Sequence, residues 1–176
     1  MKIEKKNFPD QCGFTFVETM IAILIMAAGL LALASAMSQS MVVMSYASYE
    51  QIAKEKALEA MEGVFTARDS KKFGDFSVIQ NVDNGGIFLN GPQQLHVAGE
   101  DGVVNTAGDE VLALETDPGK DGILGTADDA LLDKFTREIK IIAINPNLRQ
   151  VIVTVTYTVN GKPRQYQLNC YISPYA

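Results

Sequence analysis

The sequence at residues 13–18 reads GFTFVE and separates a short polar leader from a long apolar segment. Segment 20–34 contains only apolar residues and one glycine. With its flanks, this segment is long enough to cross a bilayer as a helix, which takes about 20 residues. The sequence therefore predicts a membrane-spanning helix near the N-terminus, with the bulk of the chain following it.

The distribution of basic residues predicts the orientation of this helix. Lys2, Lys5 and Lys6 lie in the leader, and the next basic residue in the chain is Lys54. Because positive charges flanking a span stay on the cytoplasmic side, the N-terminus is predicted to lie in the cytoplasm and the head outside the inner membrane.

The position of the leader excludes an ordinary secretory signal, whose apolar region comes before its cleavage site. Here the apolar region follows the junction, and GFTFVE resembles the Gly–Phe–Thr–x–x–Glu junction of the type IV prepilin family. The resemblance implies that prepilin peptidase removes leader 1–13 by cutting between Gly13 and Phe14, and methylates the new Phe14 amine. It also implies that the chain assembles with other pilin or pseudopilin subunits at an inner-membrane assembly platform, first in the membrane and then in a periplasmic or extracellular filament.

Glu18 is the residue of this segment for which the resemblance implies a role in assembly. A carboxylate inside an apolar helix is costly to bury in lipid, so it marks a partner or a function. In a filament, Glu18 can pair with the Phe14 amine of a neighbouring subunit and neutralise both charges. The alternative interpretation is a helix-start residue at the membrane interface, where the helix dipole favours negative charge.

The helix sequence also indicates a subtype. Segment 28–34 reads AGLLALA and resembles the helices of minor pilins of type IV pili and minor pseudopilins of type II secretion systems. Many major pilins carry a proline where this chain has Ser35, and no proline occurs between Pro9 and Pro92. Two alternatives remain: a major pilin, or a bitopic calcium-binding surface protein that does not polymerise.

Beyond the transmembrane or filament-core segment, 14–37, the helix is predicted to continue amphipathically over 38–68. Apolar residues recur there at three- and four-residue steps and form one face. The members of this face are Tyr46, Tyr49, Ala53, Ala57, Ala60 and Val64. We expect this face to pack on a β-rich head, residues 69–176.

The head is predicted to be an antiparallel sheet, which gives an α+β, pilin-like fold. Predicted strands cover 73–80, 93–97, 135–144, 150–159 and 164–172. Asn160-Gly161 indicates a two-residue type I′ hairpin, which pairs Val151 with Cys170 on the apolar face. Cys170 is interpreted as a buried small hydrophobe, and Cys12 leaves with the leader, so no intrachain disulfide is expected.

An Asp/Gly-rich loop, 99–133, contains a candidate calcium site. Segment 117–129 resembles the calcium loops of extracellular repeat modules, and calcium binds six to eight oxygens. The predicted ligands are the carboxylates of Asp117, Asp121, Asp128 and Asp129 and the backbone carbonyl of Ile123. Segment 101–110 repeats part of this pattern 20 positions earlier, without an acid equivalent to Asp117. The alternative is a metal-free surface loop.

Composition argues against other functions. The net charge of −6 and the lack of a clustered basic patch argue against nucleic-acid binding. His96 is the only histidine, and no P-loop or dinucleotide fingerprint is present, so no enzymatic activity is predicted.

Overall fold

The computed structural model describes residues 13–70, 72–109 and 112–175. The chain divides after Met44 into two compact units. In the first unit, every described residue is exposed and belongs to the N-terminal coil or to helix α1, Phe16–Asp69. By length and composition, α1 is able to cross a membrane. This agrees with the predicted membrane-anchoring helix.

The second unit contains the C-terminal half of α1 and six β-strands. Two 3₁₀ turns, Phe76–Val78 and Val82–Asn84, follow the helix. The strands are β1 Gln93–Gln94, β2 Thr116–Asp117, β3 Ala130–Leu131, β4 Phe135–Asn145, β5 Leu148–Val159 and β6 Lys162–Ile172. The main sheet has the antiparallel order β1-β4-β5-β6, and β2 pairs with β3 separately.

The predicted hairpin register is confirmed. Val151 pairs with Cys170, and the β5–β6 turn has positive φ at both Asn160 (51°) and Gly161 (73°). Only a residue that tolerates positive φ fits the two central positions of a type I′ turn, so the Asn-Gly pair fixes the loop length and hence the register.

The core lies between α1 and the main sheet. The predicted apolar face of the helix is confirmed, since Ala53, Ala57, Ala60 and Val64 are fully buried, and Tyr46 and Tyr49 pack at its margin. Three of these four buried helix positions are alanines, so this part of the helix contributes small side chains to the core. The opposing inner face of the sheet includes Ile139, Val151, Val153 and Val155, all fully buried. The α+β, pilin-like class is thus confirmed.

Segment 73–80 does not form the predicted strand. It folds into a 3₁₀ turn capped by Asp75, whose carboxylate accepts a hydrogen bond from the Ser77 amide at 2.8 Å. Arg149 of β5 donates to the carbonyls of Phe76 and of Ile79 (2.6 Å). These two carbonyls accept hydrogen bonds from a side chain instead of from the amides of a neighbouring strand, so they do not contribute to a β-ladder.

Two smaller predictions also need correction. The predicted strand 93–97 shrinks to β1, and beyond it His96 makes only an isolated bridge to Leu114. Cys170 is half-buried at the edge of the core instead of buried, because β6 is the last strand of the sheet and no strand of the described residues pairs with its outer side.

Candidate functional site

The junction of the predicted leader and helix contains a capping box. Thr15 precedes the first helical residue, and its hydroxyl accepts a hydrogen bond from the Glu18 amide at 3.3 Å. In return, one oxygen of Glu18, Oε2, accepts hydrogen bonds from the Thr15 amide at 3.0 Å and the Thr15 hydroxyl at 3.1 Å. Such reciprocal bonds satisfy amides that the first turn of a helix otherwise leaves unpaired. The Thr-x-x-Glu spacing was a sequence signal for this box that our sequence analysis missed.

The two carboxylate oxygens of Glu18 differ: one is fixed by hydrogen bonds and the other is accessible. Thr15 engages Oε2, while Oε1 makes no hydrogen bond within the described segments 13–70, 72–109 and 112–175. The residues around the junction are exposed, with Phe14 at 85%. A second charged group can approach Oε1 without breaking the capping box.

Gly13 has open space around it among the described residues. A Cβ built on Gly13 meets nothing within 4 Å. The described part of the chain therefore leaves room for a larger side chain at this position.

The predicted calcium ligands all lie in the loop around β2 and β3, and their carboxylates bond to the loop itself. Asp121 accepts from the Ile123 amide at 2.9 Å, and Asp128 accepts from the Lys120 amide and the Thr126 hydroxyl, both at 2.8 Å. Asp117 and Asp129 likewise accept from loop amides, those of Gly119 at 3.2 Å and Gly125 at 2.6 Å.

These bonds turn the carboxylates toward backbone donors instead of a common centre. Within the described residues, no group of three or more His, Cys, Asp or Glu side chains is placed to hold a metal ion. The carbonyl of Ile123 accepts from the Thr126 hydroxyl at 3.1 Å. Hydrogen bonds from the Thr126 hydroxyl and the Lys120 amide lower the pKa of Asp128. The donor chemistry suits calcium, but the described carboxylates do not converge on one centre, and the calcium site stays a prediction.

The repeated pattern in the sequence is also a repeat in structure. In segments 101–109 and 121–129, Asp101 and Asp121 each accept a hydrogen bond at 2.9 Å from the amide two residues later. In each segment, the threonine five positions after that aspartate donates to the carbonyl two positions after the aspartate, at 3.3 and 3.1 Å. The same threonine also contacts the aspartate three positions further on. The two segments are copies of one turn unit.

The two copies differ in burial. Val103 of the first copy is 1% exposed, whereas Ile123 at the equivalent position is 60% exposed. The first copy thus belongs to the core, beside Gly63 of α1, and the second is presented to solvent. A free surface on the second copy is what a loop used for binding requires.

A buried ion network, which the sequence analysis missed, joins the loop to the helix and the sheet. Glu115 lies between Lys56 of α1, at 2.6 Å, and Arg137 of β4, at 3.2 Å. The Arg137 side chain is fully buried, and its Nε donates to Asn105 at 2.8 Å. One signal was available: Arg137 shares the alternation of Phe135, Ile139 and Ile141, which places it on the inner face of β4.

The pKa values of the two cations in this network shift in opposite directions. Loss of water lowers the pKa of the fully buried Arg137. Burial also disfavours the charged form of Lys56, but hydrogen bonds to Glu115 and Glu59 outweigh that effect and raise the pKa of Lys56. The network joins α1, the loop and β4 at the base of the loop.

Comparison with known proteins places one motif on the chain. Residues 9–34 match the family described as the prokaryotic N-terminal methylation motif. No curated protein and no solved structure matches the chain. The motif match supports a type IV prepilin-like, processed subunit and does not distinguish pilin from pseudopilin.

Proposed function

We propose that this chain is a structural subunit of a type IV pilus or type II secretion-like filament, and specifically a minor pilin or minor pseudopilin. The observation that carries the proposal is the GFTFVE junction, which lies inside the matched motif and directly before an exposed apolar helix. An apolar helix of this length needs a lipid or protein environment, and a filament core supplies one after the membrane.

The proposed processing starts at the junction. Prepilin peptidase cuts between Gly13 and Phe14 and methylates the Phe14 amine. The exposure of both residues and the freedom of Gly13 from close contacts support an accessible cleavage site. The mature chain then begins one residue before Thr15, which leaves the capping box intact.

The proposed assembly step uses the free oxygen of Glu18. Thr15 holds the carboxylate through Oε2, and Oε1 pairs with the Phe14 amine of a neighbouring subunit. Pairing neutralises both charges when the helices enter an apolar interior, where an unpaired carboxylate is costly. The head then lies outside the inner membrane, in the periplasm or in an extracellular filament, and its role is structural instead of catalytic.

Filament incorporation tests this proposal. In cells with the assembly machinery, we expect the wild-type chain in sheared filaments and the Glu18→Lys variant to remain in the membrane. Glu55→Lys is the matched control, because Glu55 is an exposed acid of the same helix that accepts a hydrogen bond from Gln51 at 3.0 Å. Normal incorporation of Glu18→Lys would refute the pairing. A chain that forms the bulk of the filament would indicate a major pilin instead of a minor one.

A further inference from the structure

Each copy of the turn unit carries a pair of apolar residues at its tip. The pair is Val103 and Val104 in the first copy, and Ile123 and Leu124 in the second. The residue before the pair and the residue after it both have positive φ, at 75° and 61° in the first copy and at 69° and 92° in the second. The backbone therefore turns in the same way around both tips.

The first copy shows what kind of surface covers such a tip. Val103 and Val104 are 1% and 3% exposed and belong to the core of the head. A Cβ built on Gly63 of α1 would lie 3.7 Å from Cγ1 of Val103 and 4.0 Å from the amide nitrogen of Val104. These distances are already van der Waals contact. The tip thus packs on a helix, at a position that fits a glycine or an alanine.

The tip of the second copy is uncovered. Ile123 is 60% exposed and Leu124 is 66% exposed. Leu124 also lines an open cleft together with Val97 and Ala98, which are exposed as well. Contiguous apolar surface that is rimmed by polar residues marks sites of protein interaction. The second copy therefore offers to a partner the surface that the first copy buries within the head.

The charge around the second tip indicates the chemistry of the partner. Segment 117–129 contains four aspartates and one lysine, Lys120. Within the described residues, none of these aspartates forms an ion pair. Because interfaces pair surfaces of opposite potential, the complementary surface carries basic residues.

We propose that Ile123 and Leu124 dock on an α-helix of a neighbouring filament subunit, at a glycine or alanine that has a lysine or arginine within one helical turn. The contact repeats the packing of the first tip on Gly63, and the basic residue meets the aspartates of the loop. The inference rests on the proposed function as a filament subunit and names the surface of the head that meets the next subunit.

The first test is incorporation of the full chain into sheared filaments, in cells with the assembly machinery. We expect Ile123→Ser/Leu124→Ser to lower the ratio of filament to membrane pools by about tenfold or more, since it removes the apolar surface of the tip. Leu131→Ser is the matched control, because Leu131 of β3 is 63% exposed and lies outside both tips. We expect this control to be incorporated like the wild type, and both variants to melt at the wild-type temperature.

The second test identifies the partner surface in assembled filaments. A photoreactive benzoylphenylalanine at position 123 keeps a large apolar side chain at the tip. After irradiation, mass spectrometry of the cross-linked peptides identifies the residue that the tip contacts. We expect a helical peptide of another subunit, with glycine or alanine at the contact and a basic residue within one turn.

The outcomes separate this inference from the proposed function. Absence of the wild-type chain from filaments would overturn the proposed function and this contact with it. Filaments that take up Ile123→Ser/Leu124→Ser as well as the wild type would overturn this inference alone, and so would an equal loss with Leu131→Ser. A cross-link to a strand or loop of another subunit, or no cross-link between subunits, would also overturn it.

Discussion

The carboxylate of Glu18 is held by Thr15 through a single oxygen, at 3.0 Å from the Thr15 amide and 3.1 Å from its hydroxyl. This relationship makes the first turn of α1 a preformed element. Because the other oxygen is free for a further partner, the same carboxylate can cap its own helix and meet a neighbouring subunit.

We expect Thr15→Ala to fray the first turn of α1. Loss of the hydroxyl leaves the Glu18 amide without its acceptor, so the amides of residues 16–19 should exchange with solvent several-fold faster. Hydrogen exchange of the full chain in detergent micelles measures this. Thr15→Ser retains the hydroxyl and should exchange like the wild type; equal exchange in Thr15→Ala and the wild type would show that the capping box does not stabilise the turn.

Glu115→Gln is expected to destabilise the head by about 3 kcal/mol or more, because it leaves the buried Arg137 without its carboxylate. Denaturant unfolding of the full chain in detergent, followed by circular dichroism, measures the change in the free energy of unfolding. Glu59→Gln is the control, since Glu59 pairs with the same Lys56 at 2.8 Å from an exposed position. We expect that change to cost less than about 1 kcal/mol. Equal effects of the two substitutions would contradict the role of burial.

The sequence was sufficient where local chemistry determines structure. Asn160-Gly161 favours a turn with positive φ at both positions. The alternation of Val151, Val153 and Val155 then selects the strand register that places these apolar side chains on the inner face of the sheet. The small residues of α1 likewise recur at helical spacing. Each of these features depends on neighbours in sequence, so each is visible without the fold.

Contacts between distant residues explain what the sequence analysis missed. Segment 73–80 has the composition of a strand, but Arg149, about 70 residues later, bonds to its carbonyls. Glu115 meets Arg137 across 22 residues and Lys56 across a longer stretch of chain. No local pattern identifies which acid pairs with which base. The hydrogen bonds of the loop carboxylates to donors within the loop are also a property of the folded backbone and not of their spacing.

The pH dependence of the loop should depend on Thr126. In the folded chain, hydrogen bonds from the Thr126 hydroxyl and the Lys120 amide lower the pKa of Asp128 below its ordinary 3.8. A carboxylate with a lowered pKa contributes stability above its unfolded pKa and loses it as pH falls through the folded pKa. We expect Thr126→Val to move the pKa of Asp128 back toward 3.8 and to weaken the loop's sensitivity to acid below about pH 4.

Carboxyl NMR titration of wild type and Thr126→Val measures this pKa directly. Thr106→Val is the equivalent substitution in the first copy of the turn unit and should leave the pKa of Asp128 unchanged. An identical Asp128 titration in the wild type and Thr126→Val would contradict the assigned hydrogen bond.

Calcium binding by the second turn unit is a separate prediction. We expect calcium to raise the melting temperature of the full chain, because an ion that binds the loop carboxylates of the folded chain stabilises it relative to the unfolded chain. Asp121→Ala should abolish the increase, whereas Asp83→Ala, an acidic residue outside the loop, should preserve it. The site would be ruled out if calorimetry detects no heat of calcium binding and calcium leaves the melting temperature unchanged.

The mature N-terminus tests the central claim most directly. Mass spectrometry of the N-terminal peptide, from cells with and without an active prepilin peptidase, identifies the first residue and its modification. The proposed processing predicts a chain that begins with N-methylated Phe14 when the peptidase is active and retains residues 1–13 when it is absent. A chain that keeps its leader, or is cut at another bond, in the presence of the active peptidase would contradict the proposal.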